Sequence, residues 1–204
     1  MTHPMIALIE QRVSANRFDA THALADAEIE QLVRLATRAP TAYNLQNWRF
    51  IAVRTPEGKA RLRNVAHGQA KVSDAAVTFI ICGLLPDHET LPARLRPFVD
   101  TGYMPTEMAS GWKEAVRAQY ADAKVARDEA MRSASLGAAT LIFAAEALGL
   151  SSGPMGGFNA EGVIREFNLT PCELPTMLLA VGRAVPGNWP QKPRRPLGEV
   201  LHFS

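Results

Sequence analysis

The sequence predicts a fold of interleaved helices and buried strands, α/β or α+β rather than a helical bundle. Two observations carry this. The apolar run Ala76–Cys82 is rich in β-branched and aromatic residues, the pattern of a central strand covered on both faces. Elsewhere, apolar residues recur at helical spacing, as at Ile29, Leu32, Val33 and Ala36. The 204 residues are 47% hydrophobic and 21% charged, which suits a single domain over 1–204 and excludes a disordered chain.

Taken in order, Met5, Ile6, Ile9 and Val13 mark a first helix behind Pro4 that ends near Ser14. Asp26 reads as the N-cap of a second helix, which Pro40 stops. Trp48–Val53 reads as a strand. Thr55-Pro56 supplies an N-cap and a proline at the first helical position, with Gly68 at the far end. Four prolines between 86 and 105 predict an irregular excursion. Two helices are expected at about 106–127 and 128–148, the second closed by Gly149. Asn159 caps a short helix through Phe167, Thr176–Val181 is a third strand, and the Pro-rich tail 186–197 is extended.

Several function classes drop out. Cys82 and Cys172 are far apart with no CxxC spacing, and the five histidines show no HxxxH or HExxH spacing, so no metal site is expected. A net charge of +2 is too mild for a nucleic-acid binder. No secretory leader opens the chain and no apolar stretch is long enough for a bilayer, so no membrane association and a cytoplasmic location are expected. Cys82 reads as a small core residue.

Three segments and two further cation sources could carry chemistry. Arg12, Ser14 and Arg17 cluster where the first helix ends; they would clamp a phosphate, or simply complement the helix dipole. In the loop APTAYNLQNW, Asn44 and Gln46 can donate to and accept from the edge of a heteroaromatic ring, or serve the turn itself. In SSGPMGGF the glycines would let backbone approach a ligand, or form an ordinary helix-to-helix connection; the pattern is neither GxGxxG nor a P-loop. Lys192, Arg194 and Arg195 make the tail basic, and Lys71 precedes the buried strand; all four could equally be solvated.

In this order, Arg12-x-Ser14, APTAYNLQNW leading into RFIAV, GPMGGF and the terminal KPRRPLGEV resemble the nitroreductase family of FMN-dependent oxidoreductases. The resemblance spans 12–83 and 136–200 and is weakest at 84–130, a variable excursion. It implies an α+β fold with a mixed central sheet flanked by helices, and a homodimer with two FMN sites at the subunit interface. By that similarity Arg12, Ser14, Lys192 and Arg194 hold the FMN phosphate. Asn44 and Gln46 line the flavin, and Lys71 faces its pyrimidine edge. Pro154, Gly156 and Gly157 run along the ring near N5. Asn16 stands where many members carry Arg or Lys, with Arg17 as its alternative, and Gln69 is a further candidate at the flavin edge. Gly156 replaces a Glu found in some members, leaving only backbone there, and Asn47-Trp48 replaces the commoner Pro-Trp.

What the resemblance implies is a two-stroke cycle. NADH or NADPH delivers hydride to flavin N5, and a nitroaromatic, a quinone or another small electrophile then takes the electrons in the same place. No acid–base side chain is required. The rivals are a specialised member reducing an enal, a semialdehyde or a halogenated phenol, and a flavin-binding regulatory or partner protein with little turnover.

Overall fold

Alternation along one strand divides the core. In the computed structural model, which describes residues 3–204, the apolar run becomes β2 (Val77–Leu84), buried at every residue but the last. Val77, Phe79 and Ile81 point to one face, while Ile80 and Cys82 point to the other. β2 lies inside a four-stranded sheet of order β1-β2-β4-β3, with β1 Trp48–Val53, β3 Ser151–Met155 and β4 Glu173–Gly182. All three pairings are antiparallel. A parallel contact comes from an isolated bridge between Ser14 and Ser152. Pro175 is accommodated in the inner strand β4 because the register to β2 shifts between Ile81 and Cys82, a bulge where a missing N–H does little harm.

Helices cover both faces. On the first, α2 (Asp26–Ala36) and the long α7 (Ala123–Ala147) pack Leu32, Ala134, Ala138 and Leu141 onto Phe79 and Leu179. On the second, α3 (Pro56–Val65), α4 (Ala70–Asp74) and α8 (Ala160–Glu166) bring Leu62, Val72 and Val163 onto Ile80 and Leu178. α5 (Leu91–Asp100) and α6 (Thr106–Gln119) build a third, separate cluster of Leu45, Leu91, Leu95, Met104 and Val116. α1 (Pro4–Gln11) has no buried residue.

Several sequence expectations need correction. The first helix ends at Gln11 rather than near Ser14, and the strand expected at Thr176–Val181 runs from Glu173 to Gly182. The excursion contains a helix, α5, because Pro92 sits in its first turn where no N–H is needed. The break between the two long helices falls at 120–122, not 127, since the Asp122 side chain accepts from the N–H groups of Lys124 (2.8 Å) and Val125 (3.1 Å). The second helix is capped at Ala25, whose N–H donates to Glu28 (2.8 Å), with Asp26 already inside. The helix behind Pro56 stops at Val65, and left-handed Gly68 (φ +71°) precedes the separate α4, which carries Lys71. Ser151–Met155 is an edge strand rather than a connection. The caps at Thr55 and Asn159 stand as expected, accepting from Gly58 N–H (3.1 Å) and Gly162 N–H (2.9 Å).

Candidate functional site

The chain's two ends meet at the β3 edge of the sheet. Past α1, the Ala15 N–H donates to the Ser152 carbonyl (2.8 Å) and Asp19 N–H to the Arg183 carbonyl (2.9 Å), so residues 14–19 run beside β3 and the start of the tail. Gly153 makes this approach possible. A Cβ there would lie 2.3 Å from the Ala15 carbonyl oxygen and 3.6 Å from Cδ of Lys71.

Four cations converge on this edge. Arg12 donates to Ser14 Oγ over a long 3.4 Å. Lys71 reaches from α4 and donates to Asn16 Oδ1 at 3.1 Å. From the tail, Arg194 donates to Gln191 Oε1 (3.0 Å), and Gln191 donates to the Arg12 carbonyl (3.0 Å). Lys192 Nζ lies over the Trp189 ring, 5.3 Å from its centroid. Burial, and next the Lys192 charge, hold the Lys71 ammonium below its ordinary pKa. Among the described residues none of these four cations ion-pairs with a carboxylate, although many surface cations elsewhere do. Lys192 and Arg194 are exposed, but Lys71 is half-buried with no carboxylate among the described residues bonded to it, which is costly on its own, and an anion would relieve it.

Gln69 ties this edge to the loop after β3, its Nε2 donating to the carbonyls of Gly157 (3.0 Å) and Ala66 (3.2 Å). Pro154 lies within β3 opposite Leu179. Gly156 and Gly157 follow it, and nothing lies within 4 Å of where their Cβ atoms would be, so a flat ligand has room. Unpaired cations at one end and open backbone at the other form a donor set that suits a phosphorylated heterocycle such as FMN.

Asn44 and Gln46 are not brought to this edge. They precede β1, at the opposite margin of the sheet, three inter-strand steps of about 4.8 Å each from β3. Along the strands they lie at the end away from Ser151, because Trp48 pairs with Gly83, which pairs with Leu174, while Ser151 pairs with Gly182. The loop is strained: Tyr43 (φ 53°), Asn44 (56°) and Gln46 (45°) are all left-handed. It is held by Gln46 N–H donating to Thr41 Oγ1 (3.0 Å), by Arg94 donating to the Leu45 carbonyl, and by Tyr43 Oη donating to Gln119 (2.8 Å). Two of those three anchors come from the α5–α6 excursion.

Two residues at the β3 edge escaped the sequence reading, Asn188 and Gln191. The sequence offers only Gly187-Asn188, a turn signal. Cys82 is inert core, its thiol pushed up to about 12 by burial. Among the described residues no three His, Cys, Asp or Glu gather as metal ligands, and no helix is long and apolar enough to cross a membrane.

The chain belongs to the nitroreductase family, whose model matches residues 9–183. It is 32% identical to YodC of Bacillus subtilis, which is named an NAD(P)H nitroreductase, over 95% of each chain. It is 31% identical to the protein DrgA of Synechocystis, over 95% of this chain and 92% of that one. The crystal structure of YdfN from Bacillus subtilis, named a nitroreductase, superposes with a TM-score of 0.92 at 25% identity, covering 98% of both chains. A nitroreductase from Exiguobacterium sibiricum, solved in complex with FMN, superposes with a TM-score of 0.91 at 25% identity, over 100% of this chain and 99% of that one.

Proposed function

We propose that this protein is an FMN-dependent oxidoreductase carrying electrons from NADH or NADPH to small electrophilic acceptors such as nitroaromatics and quinones, and that it works as a homodimer in the cytoplasm. The observation that carries the reading is the crowding of Arg12, Lys71, Lys192 and Arg194 around one edge, none of them in a salt bridge among the described residues, beside the open backbone of Gly156 and Gly157. FMN held there would supply the redox chemistry, a two-electron relay between the nicotinamide and the acceptor.

The chain's own residues bind and orient. Arg12, Ser14, Lys192 and Arg194 hold the phosphate by charge-assisted hydrogen bonds. Lys71, steadied by Asn16, presents a desolvated ammonium to the pyrimidine end of the ring. Gln69, Pro154, Gly156 and Gly157 border its other side. The separation of Asn44 and Gln46 from this edge supports a site completed by a second copy, whose loop supplies the remaining contacts. Exposed apolar side chains on α1 (Met5, Ile6, Ile9) and in the tail (Leu197, Val200, and Phe203 at 85% exposure) supply surface for such an interface.

Light scattering with flavin quantitation tests both halves of this reading. The expected result is a mass twice the 22.2 kDa chain, with about one FMN released per chain on denaturation. A colourless protein, or a 22.2 kDa monomer that holds FMN tightly, overturns it.

A further inference from the structure

The cationic tail has almost nothing of its own to hold it in place. Backbone hydrogen bonding to the body ends where Val185 N–H donates to the Arg17 carbonyl (3.2 Å). From 186 to 195 the described chain has no regular secondary structure and no backbone–backbone hydrogen bond, and Pro186, Pro190 and Pro193 have no N–H to give. Lys192 and Arg194 lie in this stretch.

Two side-chain amides supply the missing attachment. Left-handed Gly187 (φ +93°) turns the chain just before Asn188. Asn188 Oδ1 accepts from the N–H groups of Asn16 (2.7 Å) and Arg17 (3.0 Å), while its Nδ2 donates to the carbonyls of Arg17 (2.9 Å) and Val185 (2.9 Å). All four hydrogen-bonding positions of that amide are used. Gln191 makes the second attachment, donating to the Arg12 carbonyl and accepting from Arg194. Each amide therefore joins a tail cation's neighbourhood to backbone within Arg12–Arg17, more than 170 residues away in sequence.

We propose that Asn188 and Gln191 are positioning residues for phosphate recognition. They fasten the tail across the 12–17 segment so that Lys192 and Arg194 stand beside Arg12 and Ser14 before any ligand arrives. This rests on the FMN reading above. The physical gain is preorganisation: a loose tail would have to be ordered at the moment of binding, and that ordering weakens affinity. The phosphate should benefit most: Gln191 ties only to Arg12 and Arg194, whereas Asn188 also holds the backbone of Asn16, the partner of Lys71.

Titrating apo-protein with FMN and, separately, with riboflavin, which has the same ring and no phosphate, tests the assignment. For Asn188→Ala the FMN dissociation constant should rise by about 10-fold or more, with a clearly smaller loss of riboflavin affinity through Asn16 and Lys71. Gln191→Ala, at an exposed position, should show a smaller rise, roughly 3- to 10-fold, with riboflavin affinity unchanged within twofold. Unchanged FMN affinity in both variants overturns the proposal, and so does an equal loss of FMN and riboflavin, which would mark a general structural role. Failure of the native protein to bind FMN would instead sink the flavin reading on which the proposal stands.

Discussion

Lys71 and Asn16 share a 3.1 Å hydrogen bond, and it joins a half-buried ammonium to a neutral amide where a carboxylate would ordinarily be found. Burial and the Lys192 charge depress the Lys71 pKa in the folded chain. A lysine whose folded pKa lies below its unfolded value contributes fully to stability only above pH 10.5, and that contribution is lost as pH falls through the folded pKa. The charged form of Lys71 therefore carries some cost to the flavin-free fold. Lys71→Met should stabilise apo-protein at pH 7 by up to about 1 kcal/mol in urea melts, an advantage that shrinks toward alkaline pH.

The same substitution should weaken the reduced state of the cofactor. Two-electron reduction places negative charge at the pyrimidine end of the flavin, and a cation there favours that state. Removing the ammonium forfeits about 1.5–3 kcal/mol of the preference. For a two-electron couple this lowers the midpoint by roughly 30–65 mV. Anaerobic dye-equilibrated titration measures it; an unchanged midpoint with FMN fully bound would remove Lys71 from the flavin edge.

Arg12 and Arg194 approach the same place from opposite ends of the chain, linked through Gln191. Arg12→Ala or Arg194→Ala removes a charge-assisted hydrogen bond to phosphate, and FMN affinity should fall roughly 10- to 150-fold. Flavin titration of the apo-variants reads this directly. Unchanged affinity in both would move the phosphate site elsewhere.

Gly153→Ala should disrupt fold and site together. The added Cβ would lie 2.3 Å from the Ala15 carbonyl oxygen, which is backbone and cannot swing aside. Overpacking of this kind costs about 1–3 kcal/mol, seen as a lower urea midpoint, and FMN affinity should drop because residues 14–16 are pushed off β3.

How much of this was legible in the sequence depended on where each signal was local. β2 was readable because its apolar run is long and its partners cover both faces. β3 was not, because Ser-Ser-Gly-Pro-Met has no strand propensity; it pairs only because the edge of β4 offers a ladder, and an edge strand tolerates Pro154. The cations of the site were readable as residue types in family order. Their joint placement was not, because hydrogen bonds spanning more than 170 residues create it, and Asn188 and Gln191 carry no local signature. The break at Asp122 was missed because alanine-rich sequence on both sides is equally helical.

Glu146 sets a pH dependence of stability. Its carboxyl is held above its ordinary pKa by burial, against the pull of Arg12 and the Ser152 N–H, and its Oε1 is buried without a hydrogen-bond partner among the described residues. A raised carboxyl pKa contributes stability below the unfolded value of 4.5, and that contribution is lost as pH rises through the folded pKa. Gln copies the neutral form at every pH. Glu146→Gln should therefore raise the urea midpoint at pH 7 by the equivalent of about 1 kcal/mol, with no difference from the native chain near pH 4. An equal gain at both pH values would mean that the carboxyl's ionisation is irrelevant.

Whether the cationic edge holds a flavin that turns over is decided by anaerobic mixing of the FMN-loaded protein with NADH or NADPH. The flavin absorbance should bleach rapidly with at least one nucleotide and return when a quinone or nitroaromatic is added. Flavin that stays oxidised with both nucleotides would contradict it, leaving a protein that binds FMN without using it.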